Sequence, residues 1–232
     1  MPGSQERSKE RHVIEPAAGP LLYSNLRDQV LEVVRQALVS GEIRPGDIYS
    51  ASALAARLKV SSSPVREAML TLVNQGLMEP VRNRGYRVVP MSEQDLDEVY
   101  EMRLLLELPG TLKAAAQITD ADLDRLRGLA GNIETAAAAG DVVRFLEADR
   151  NFHLDLLGCG GNRRLVNAVA TLRDQTRLYG LENLAERGVL TDSAREHREI
   201  LLAIADRDTP RLEELVRAHL RHIRADWARV ED

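Results

Sequence analysis

The sequence predicts a mainly α-helical protein in two parts, in which three helices and a β-hairpin precede an antiparallel all-α bundle of about six helices. Before Pro90, helical stretches alternate with turn residues and end in two short β-compatible runs. After Pro90, apolar residues recur at helical spacing in one segment after another, and no segment resembles a strand. We therefore expect a disordered polar tail at residues 1–20, one domain at residues 21–90 and a second at residues 91–232.

The first part contains the elements of a winged helix-turn-helix, in which a β-hairpin follows three helices. Gly41 ends the first helix, Pro45 and Gly46 form the next turn, and Pro64 lies in the first turn of the third helix, behind a serine cap. The hairpin tip at residues 82–85 reads Arg-Asn-Arg-Gly and is basic. The predicted elements are helices at residues 22–38, 52–58 and 65–75 and strands at residues 77–81 and 86–89.

Each predicted helix of the second part begins with a residue that favours helix N-termini. Six such helices over residues 91–232, joined by short loops, predict an antiparallel bundle. In the first of them Pro109 and Gly110 interrupt the pattern, and we expect a kink there. The predicted helix starts are Ser92, Thr119, Asp141, Asn162, Asp192 and Thr209.

The composition excludes several classes of protein. With 44% hydrophobic and 29% charged residues, the chain resembles folded globular proteins rather than disordered ones. No apolar run approaches the roughly 20 residues of a membrane-spanning helix, and the polar N-terminus lacks the apolar core of a secretory signal. The single cysteine, Cys159, cannot form an internal disulfide, which fits a reducing compartment. We therefore expect a cytoplasmic protein without a membrane partner.

The net charge of −5 is unevenly divided between the two parts. Residues 1–90 carry 12 Lys and Arg against 9 Asp and Glu, whereas residues 91–232 carry 19 against 27. A basic first part favours contact with phosphates, and an acidic second part does not. This asymmetry suggests that only the first part contacts nucleic acid.

The third helix and the hairpin tip contain the side chains that predict DNA binding. In a winged helix-turn-helix the N-terminal end of the third helix enters the major groove, where hydroxyls and a guanidinium can bind phosphates or base edges. Arginines at the hairpin tip would lie along the backbone or in the minor groove, with glycine permitting a close approach. The alternative is that they only make a surface loop soluble. The candidate DNA-binding residues are Ser61, Ser62, Ser63, Arg66, Arg82, Arg84 and Gly85.

Four polar side chains interrupt apolar helix faces in the second part. Asp149 and His153 are one turn apart and share a face with Phe152, while His197 and His219 lie in the apolar faces of two later helices. For one histidine alone, a hydrogen-bonded core residue is the simpler interpretation. A lone buried carboxylate is costly, however, and a divalent cation bound by all four side chains would compensate them together. The pattern therefore predicts a metal site.

The ligand set limits the metal without identifying it. Three imidazoles and one carboxylate suit Zn²⁺, Ni²⁺, Mn²⁺ or Fe²⁺, and we expect Zn²⁺ in the purified protein. His222 lies about 60° around the helix from His219, at the edge of the apolar face, and is not expected to be a ligand.

Arg103 and Glu107 are also one turn apart on an apolar face. One interpretation is a partly buried salt bridge. In the other, Arg103 reaches into the bundle and binds the carboxylate of a small organic acid that also contacts the metal, because a guanidinium forms two parallel hydrogen bonds with a carboxylate. Asn162, Arg173 and Arg177 are further candidates for binding this effector.

Motifs in both parts resemble one known family. Residues 60–69 read VSSSPVREAM, residues 76–77 read GL and residues 82–88 read RNRGYRV, as in the GntR family of bacterial transcription regulators. In the second part the matching residues resemble the FCD ligand-sensing domain of the FadR-like subfamily, over a total span of about residues 22–228. The resemblance implies a homodimer that binds a palindromic operator and usually releases it when a small metabolite, commonly a carboxylate, binds. The residues that match in the second part are Arg103, Glu107, residues 149–153, Glu196, His197 and His219.

Two positions depart from the pattern of that family. It commonly has arginine where this chain has Ser62, and often a charged residue where this chain has Ser52. Replacing a guanidinium by a hydroxyl removes a bidentate donor and about 1–3 kcal/mol of base discrimination. We therefore expect a different or looser operator preference.

Three hypotheses of function follow. The first, which we expect, is a metabolite-responsive regulator, a repressor that binds an operator in double-stranded DNA as a homodimer and changes its affinity when a small carboxylate binds at the metal. The second is a metal-dependent enzyme acting on a small carboxylate; no HExxH-type motif supplies a base for it, and we expect no enzymatic activity. The third is a constitutive DNA-binding protein with a purely structural metal.

Overall fold

The computed structural model describes residues 23–176 and 189–226, which form nine helices and one three-stranded sheet. The tail expected at residues 1–20 and the candidate Arg177 lie outside the described residues. The first domain contains α1 (Tyr23–Val39), β1 (Ile48–Tyr49), α2 (Ala51–Leu58), α3 (Ser62–Asn74), β2 (Met78–Val81) and β3 (Gly85–Val88). The second contains α4 (Glu93–Ala115), α5 (Asp120–Ala139), α6 (Val142–Gly158), α7 (Arg163–Thr176), α8 (Val189–Ala205) and α9 (Thr209–Asp226).

One apolar core joins the first three helices to the sheet. Helices α1 and α2 both pack against α3. Val34 on α1, Val65 and Leu72 on α3 and Val88 on β3 are completely buried, and each such side chain stabilises the fold by about 1.5–3 kcal/mol relative to its exposed state. This packing fixes α3 while leaving Arg66, near its N-terminal end, exposed.

A short strand that the sequence does not reveal completes the sheet. β1 pairs antiparallel with β3, with Ile48 opposite Arg87, so that the strand order is β1-β3-β2. Two residues are too few to show the alternation by which a strand is recognised. The approach of β1 also accounts for Gly85, because a Cβ atom there would lie 2.3 Å from the carbonyl oxygen of Tyr49. The sheet itself therefore requires glycine at this position, independently of any contact with DNA.

Capping side chains confirm most of the predicted helix starts in the bundle. Ser92 and Thr119 each form a reciprocal cap with the aspartate three residues later, and Asp141 accepts a hydrogen bond from the first turn of α6. Helix α8 differs, since it begins at Val189 and places Asp192 within its first turn. An aspartate is stabilised by the helix dipole in the first turn as well as at the cap, so the residue alone does not define the start.

Helix α4 continues through the expected interruption at Pro109. A proline inside a helix removes one backbone hydrogen bond, which packing must offset. The adjacent Gly110 lies so close to α6 that a Cβ atom there would approach Leu157 to 2.8 Å. The Pro-Gly pair thus marks a close contact between helices rather than the end of one.

The six helices of the second domain enclose a separate core. Helix α5 packs against α6 and α8, α9 packs against α4 and α8, and α4 packs against α7. Leu126 and Ile133 on α5, Phe152 on α6, Ile200 on α8 and Leu212 on α9 are almost completely buried. The core thus brings the apolar faces of α6, α8 and α9 together, and with them the polar residues in those faces.

Candidate metal centre and DNA-binding surface

The structure brings the four predicted metal ligands together inside the bundle. Asp149 and His153 lie one turn apart on α6, His197 lies on α8 and His219 on α9. The side chains of these histidines are buried, and Asp149 is 9% exposed. One ligand atom from each residue lies within 4.8 Å of all the others. This convergence is the one that the sequence pattern predicts.

Four of the six distances between the ligand atoms are close to those around a bound cation. His153 Nε2 lies 3.1 Å from His197 Nε2 and 3.0 Å from His219 Nε2. Asp149 Oδ1 lies 3.0 Å from His197 Nε2 and 3.5 Å from His153 Nε2. Neighbouring ligands bonded to one ion at about 2.1 Å are about 3.0–3.4 Å apart, depending on the angle between them. The four side chains therefore fit a divalent metal ion.

The protonation of the histidines also fits a cation. His197 Nδ1 lies 2.8 Å from the carbonyl oxygen of Ser193, and His219 Nδ1 lies 2.7 Å from Glu196 Oε2. These oxygens accept hydrogen bonds, so in each neutral ring the proton is on Nδ1 and Nε2 presents a lone pair to the centre. His153 Nε2 can carry at most one proton, so it can donate a hydrogen bond to only one of the two facing Nε2 atoms of His197 and His219. Without an ion, the lone pairs and the carboxylate would repel one another in a buried site.

Burial keeps the ligands in the forms that bind metal. It lowers the pKa of His153 well below its ordinary value, an effect that the nearby guanidinium of Arg173 reinforces. Burial also lowers the pKa of His219, although its hydrogen bond to Glu196 acts in the opposite direction. For Asp149, burial opposes ionisation, but the adjacent histidines and Arg173 hold the pKa of the carboxyl well below its ordinary range. The imidazoles of His153 and His219 are thus neutral and the carboxylate of Asp149 is ionised at neutral pH.

A buried ion cluster lies directly behind the metal ligands. Asp149 Oδ2 accepts a hydrogen bond of 2.8 Å from Arg173 Nη1, and Arg173 also bonds to Glu107. Glu107 in turn accepts a 2.6 Å hydrogen bond from Arg103 Nε. Burial works against ionisation of Glu107, but the two guanidiniums outweigh it and lower the pKa to about 2. Of the two interpretations of Arg103 and Glu107, the structure contains the salt bridge. It adds Arg173 as a second partner of Glu107.

His222, which was not expected to be a ligand, and the effector-binding candidate Asn162 both lie away from this cluster. The side chain of His222 is 61% exposed and bonds to Glu196, so the structure agrees with its exclusion from the ligand set. Asn162 is exposed and its side-chain oxygen accepts a hydrogen bond from the backbone of Leu165. Asn162 therefore caps α7, and the structure places no part of it in the buried cluster.

Glu196 is a functional candidate that the spacing argument did not single out. Its carboxylate bonds to His219 Nδ1 and fixes the ring orientation, as second-shell carboxylates commonly do for metal-bound histidines. Burial raises the pKa of Glu196, but its hydrogen bonds to His219 and His222 lower it by more, so that the pKa lies below its ordinary value. In the sequence, only the position of Glu196 next to His197 pointed to it. Its hydrogen bond to His219 could not be predicted, because that bond depends on the packing of α8 against α9.

Four of the seven predicted DNA-binding residues lie around one cleft of the first domain. A cleft of about 400 Å³ is lined by the N-terminal ends of α2 and α3 and by the hairpin, including Ser52, Ser62, Arg66, Arg84 and Gly85. Within the described part of the chain, Arg66 and Arg84 are exposed and make no ion pair. Two guanidiniums that lack an acidic partner and share one cleft with hydroxyl groups form a surface suited to phosphates and base edges.

The other three candidates, Ser61, Ser63 and Arg82, are neighbours in the sequence of residues that line this cleft. Helix α3 begins at Ser62, so the serines expected as its cap lie in its first turn, and Ser61 occupies the cap position without a side-chain hydrogen bond. Ser63 bonds to Glu67 in the next turn at 3.2 Å. Arg82 is exposed at the hairpin tip.

Comparison with known proteins identifies both domains. The model of the FCD domain matches residues 98–222, and the model of bacterial regulatory proteins of the gntR family matches residues 26–88. The chain belongs to the GntR family. Its FCD domain supports the FadR-like subfamily, and the family makes it a DNA-binding transcription regulator rather than an enzyme. In the two described segments, no helix combines the length and apolar character needed to cross a bilayer.

Several relatives are similar along most of their length. The Nta operon transcriptional regulator of Aminobacter aminovorans is 29% identical over 184 residues, covering 78% of this chain and 85% of that protein. The transcriptional repressor GlaR of Escherichia coli (strain K12) is 27% identical over 191 residues, covering 79% and 87%. Among solved structures, E. coli McbR/YncC has a TM-score of 0.77 at 25% identity, covering 86% of this chain and 95% of that chain. A putative GntR regulator from Rhodococcus sp. RHA1 has a TM-score of 0.70 at 25% identity, covering 87% and 96%.

Proposed function

We propose that this regulator is a cytoplasmic repressor that binds a palindromic operator as a homodimer, and that a small carboxylate bound at a metal in the FCD domain changes its affinity for DNA. The observation that carries the proposal is the convergence of Asp149, His153, His197 and His219 in a buried site. The relatives named as an operon regulator and as a repressor agree with this role.

The charges around the site favour an anionic effector. The carboxylates of Asp149 and Glu107 bond to the guanidinium of Arg173, and Glu107 also bonds to that of Arg103. The third carboxylate, that of Glu196, bonds to His219. With neutral imidazoles, a divalent ion gives this group one net positive charge, and uncompensated charge in a buried site is costly. A carboxylate that binds the metal would neutralise it. Arg103 and Arg173 are the cations on this side of the site, which supports Arg103 as an effector-binding residue.

The metal would be held by the four side chains named above, and it would supply an electrophile for carboxylate oxygens. Glu196 and the Ser193 carbonyl orient two of the imidazoles toward it. Zn²⁺ is the ion that we expect in the purified protein, since the ligand set suits it.

The experiment is a thermal-shift screen of small organic acids, with the full chain loaded with Zn²⁺ or stripped of metal. An acid at 100 times its dissociation constant adds about 2.7 kcal/mol of stability, which raises the Tm by about 5–10 °C for a domain of this size. The same acid should leave the stripped protein unchanged and should change the affinity for an operator fragment. If chelation lowers the Tm but no acid has any effect, the metal is structural and the protein is a constitutive DNA-binder.

Arg66→Ala separates DNA binding from metal binding. We expect this variant to lose about 1–3 kcal/mol of operator binding, because it removes the one exposed guanidinium on α3 that lines the cleft. Its metal content and its thermal response to the acid should equal those of the wild type, since Arg66 is an exposed residue of the other domain. Fluorescence anisotropy with a labelled operator and metal analysis check both halves; unchanged DNA affinity would contradict the assigned surface.

A further inference from the structure

Two adjacent ion pairs of opposite polarity join α6 to α7. On α6, Asp149 precedes Arg150, and on α7, Arg173 precedes Asp174. Arg173 Nη1 bonds to Asp149 Oδ2 at 2.8 Å, and Arg150 bonds to Asp174 through two hydrogen bonds of 2.7 and 3.2 Å. We call these two pairs the α6–α7 ladder. One pair faces the metal ligands, because Asp149 is itself one of them.

The other pair of the ladder faces the DNA-binding domain. Asp174 Oδ2 lies 3.3 Å from Arg35 Nη2 on α1, and the same Arg35 nitrogen lies 3.3 Å from Gln75 Oε1. The next residue on α7, Gln175, donates a 2.9 Å hydrogen bond to the backbone carbonyl of Gln75. Gln75 is the C-cap residue of α3, the helix whose N-terminal end lines the DNA-binding cleft.

The ladder is suited to act as a rigid link. Arg173 and Asp174 are 4% and 5% exposed, and a buried ion pair that loses one partner leaves an uncompensated charge at a cost of about 3–5 kcal/mol. The pairs therefore resist separation, and α6 and α7 move together where the pairs hold them. A displacement of Asp149 moves its partner Arg173, and Asp174 is the next residue after Arg173 on α7.

We propose that Asp174 and Arg35 are positioning residues that couple the metal site to the orientation of α3. This inference rests on the proposed function and names its route of regulation. Asp149 is shared between the metal ligands and Arg173, because its Oδ1 faces the histidines and its Oδ2 accepts the hydrogen bond from Arg173. An ion bound at Oδ1 draws negative charge from the carboxylate and weakens its bond to Arg173, for which Glu107 offers a second partner. The two states of the ion site thus favour different positions of Arg173, and Asp174 follows it on the same helix.

The test is hydrogen–deuterium exchange on the full chain, with and without Zn²⁺. In the wild type, Zn²⁺ should slow exchange in α6, α8 and α9, where the ligands lie, and should also change it in residues 31–39 of α1 and 71–77 around the end of α3. Asp174→Asn should keep the response of α6, α8 and α9 and lose the response in the first domain. The readout is the Zn²⁺-dependent difference, which a loss of basal stability alone does not remove.

Three further variants keep the result interpretable. Arg35→Gln removes the same contact from the other side and leaves the Arg150–Asp174 pair intact, in case Asp174→Asn fails to fold. Arg35→Lys keeps the charge and should restore part of the response. Asp155→Asn is the matched control, because it removes a different α6 ion pair, with Arg125, that does not face the first domain; its response should equal that of the wild type.

The outcomes separate this inference from the proposed function. If Zn²⁺ protects the bundle but leaves α1 and α3 unchanged in the wild type, or changes them equally in Asp174→Asn and Arg35→Gln, the ladder does not couple the domains while the metal site stands. If Zn²⁺ does not bind at all, the proposed function is wrong at its metal site and the coupling is wrong with it.

Discussion

His219 and His222 lie three residues apart on α9, yet their surroundings differ. His219 is 1% exposed, with Nε2 3.0 Å from His153 Nε2, whereas the side chain of His222 is 61% exposed. Loss of a second-shell partner already costs about 10–100-fold in metal affinity, and loss of a ligand costs more. We expect His219→Ala to lose its metal and His222→Ala to retain it. Metal analysis after dialysis checks this, and equal loss in both variants would contradict the ligand set.

Ser62 is one of the two positions at which this chain departs from the pattern of the GntR family. It is partly buried in the first turn of α3 and lines the cleft together with Arg66 and Arg84. We expect Ser62→Arg to tighten binding to family-type operator sites by about 1–3 kcal/mol, because it adds a bidentate donor at the groove-facing end of the helix. A gel-shift series on such sites measures this, with Ser63→Arg as a neighbouring control; equal affinities for wild type and Ser62→Arg would refute it.

Single residues differ in how far the sequence predicts their role. The four metal ligands could be predicted because each is a polar group in an apolar helical face, where it needs a partner. Their neighbours could not be placed in the same way. Whether Glu107 bonds to Arg103 alone or also to Arg173 depends on a contact between α4 and α7 that no local spacing encodes. The same holds for Glu196, whose partner His219 lies on another helix.

The wing of the first domain depends on one glycine. Gly85 has a φ of 129°, and a Cβ atom there would lie 2.3 Å from Tyr49 O and 2.9 Å from Tyr49 C. We expect Gly85→Ala to destabilise the first domain by more than the about 1–3 kcal/mol of backbone strain alone, and to weaken DNA binding. Gly41→Ala is the control, since Gly41 also has a positive φ of 75° but open space around it. Urea unfolding compares the two, and equal losses of stability would show that β1 does not press on the wing.

Elements with a local cause were predictable, and elements with a distant cause were not. The reciprocal caps at Ser92 and Thr119 are complete within four residues of sequence, so their helix starts agree with the structure. Strand β1 exists only because β3 lies beside it, and its two residues contain no signal of their own. The sequence predicts one helix through Pro109, and α4 does continue there. The close approach of Gly110 to Leu157 on α6 could not be predicted, because Leu157 lies far away in the sequence.

At the scale of the whole molecule, each domain has its own apolar core, and polar contacts between α7 and the helices α1 and α3 join the two domains. The first domain presents the exposed guanidiniums of Arg66 and Arg84 around one cleft, and the second encloses a buried group of carboxylate, imidazole and guanidinium side chains. Arg35 and Gln75 on one side and Asp174 and Gln175 on the other form contacts between the two domains. A polar junction of this kind is expected where two domains change their relative orientation, because it resembles a transient interface more than a core.

The buried histidines make the stability of the metal-free protein depend on pH. Because burial lowers the pKa of His153 and His219 below the value of about 6.5 found in unfolded chains, the unfolded state binds protons first as the pH falls. Stability is therefore complete above about pH 6.5 and declines below it, by up to about 1.4 kcal/mol per pH unit for each histidine. Asp149 does not offset this decline, because its carboxyl is ionised at these pH values in both states. Its ordinary pKa in the unfolded chain is already well below the histidine value of about 6.5, and in the folded protein the pKa is lower still. Urea unfolding of stripped protein at about pH 7.5 and about pH 5.5 should show a loss of about 2–3 kcal/mol, unchanged in His222→Ala and reduced in His153→Ala; a flat profile would mean that the histidines are not buried as neutral rings.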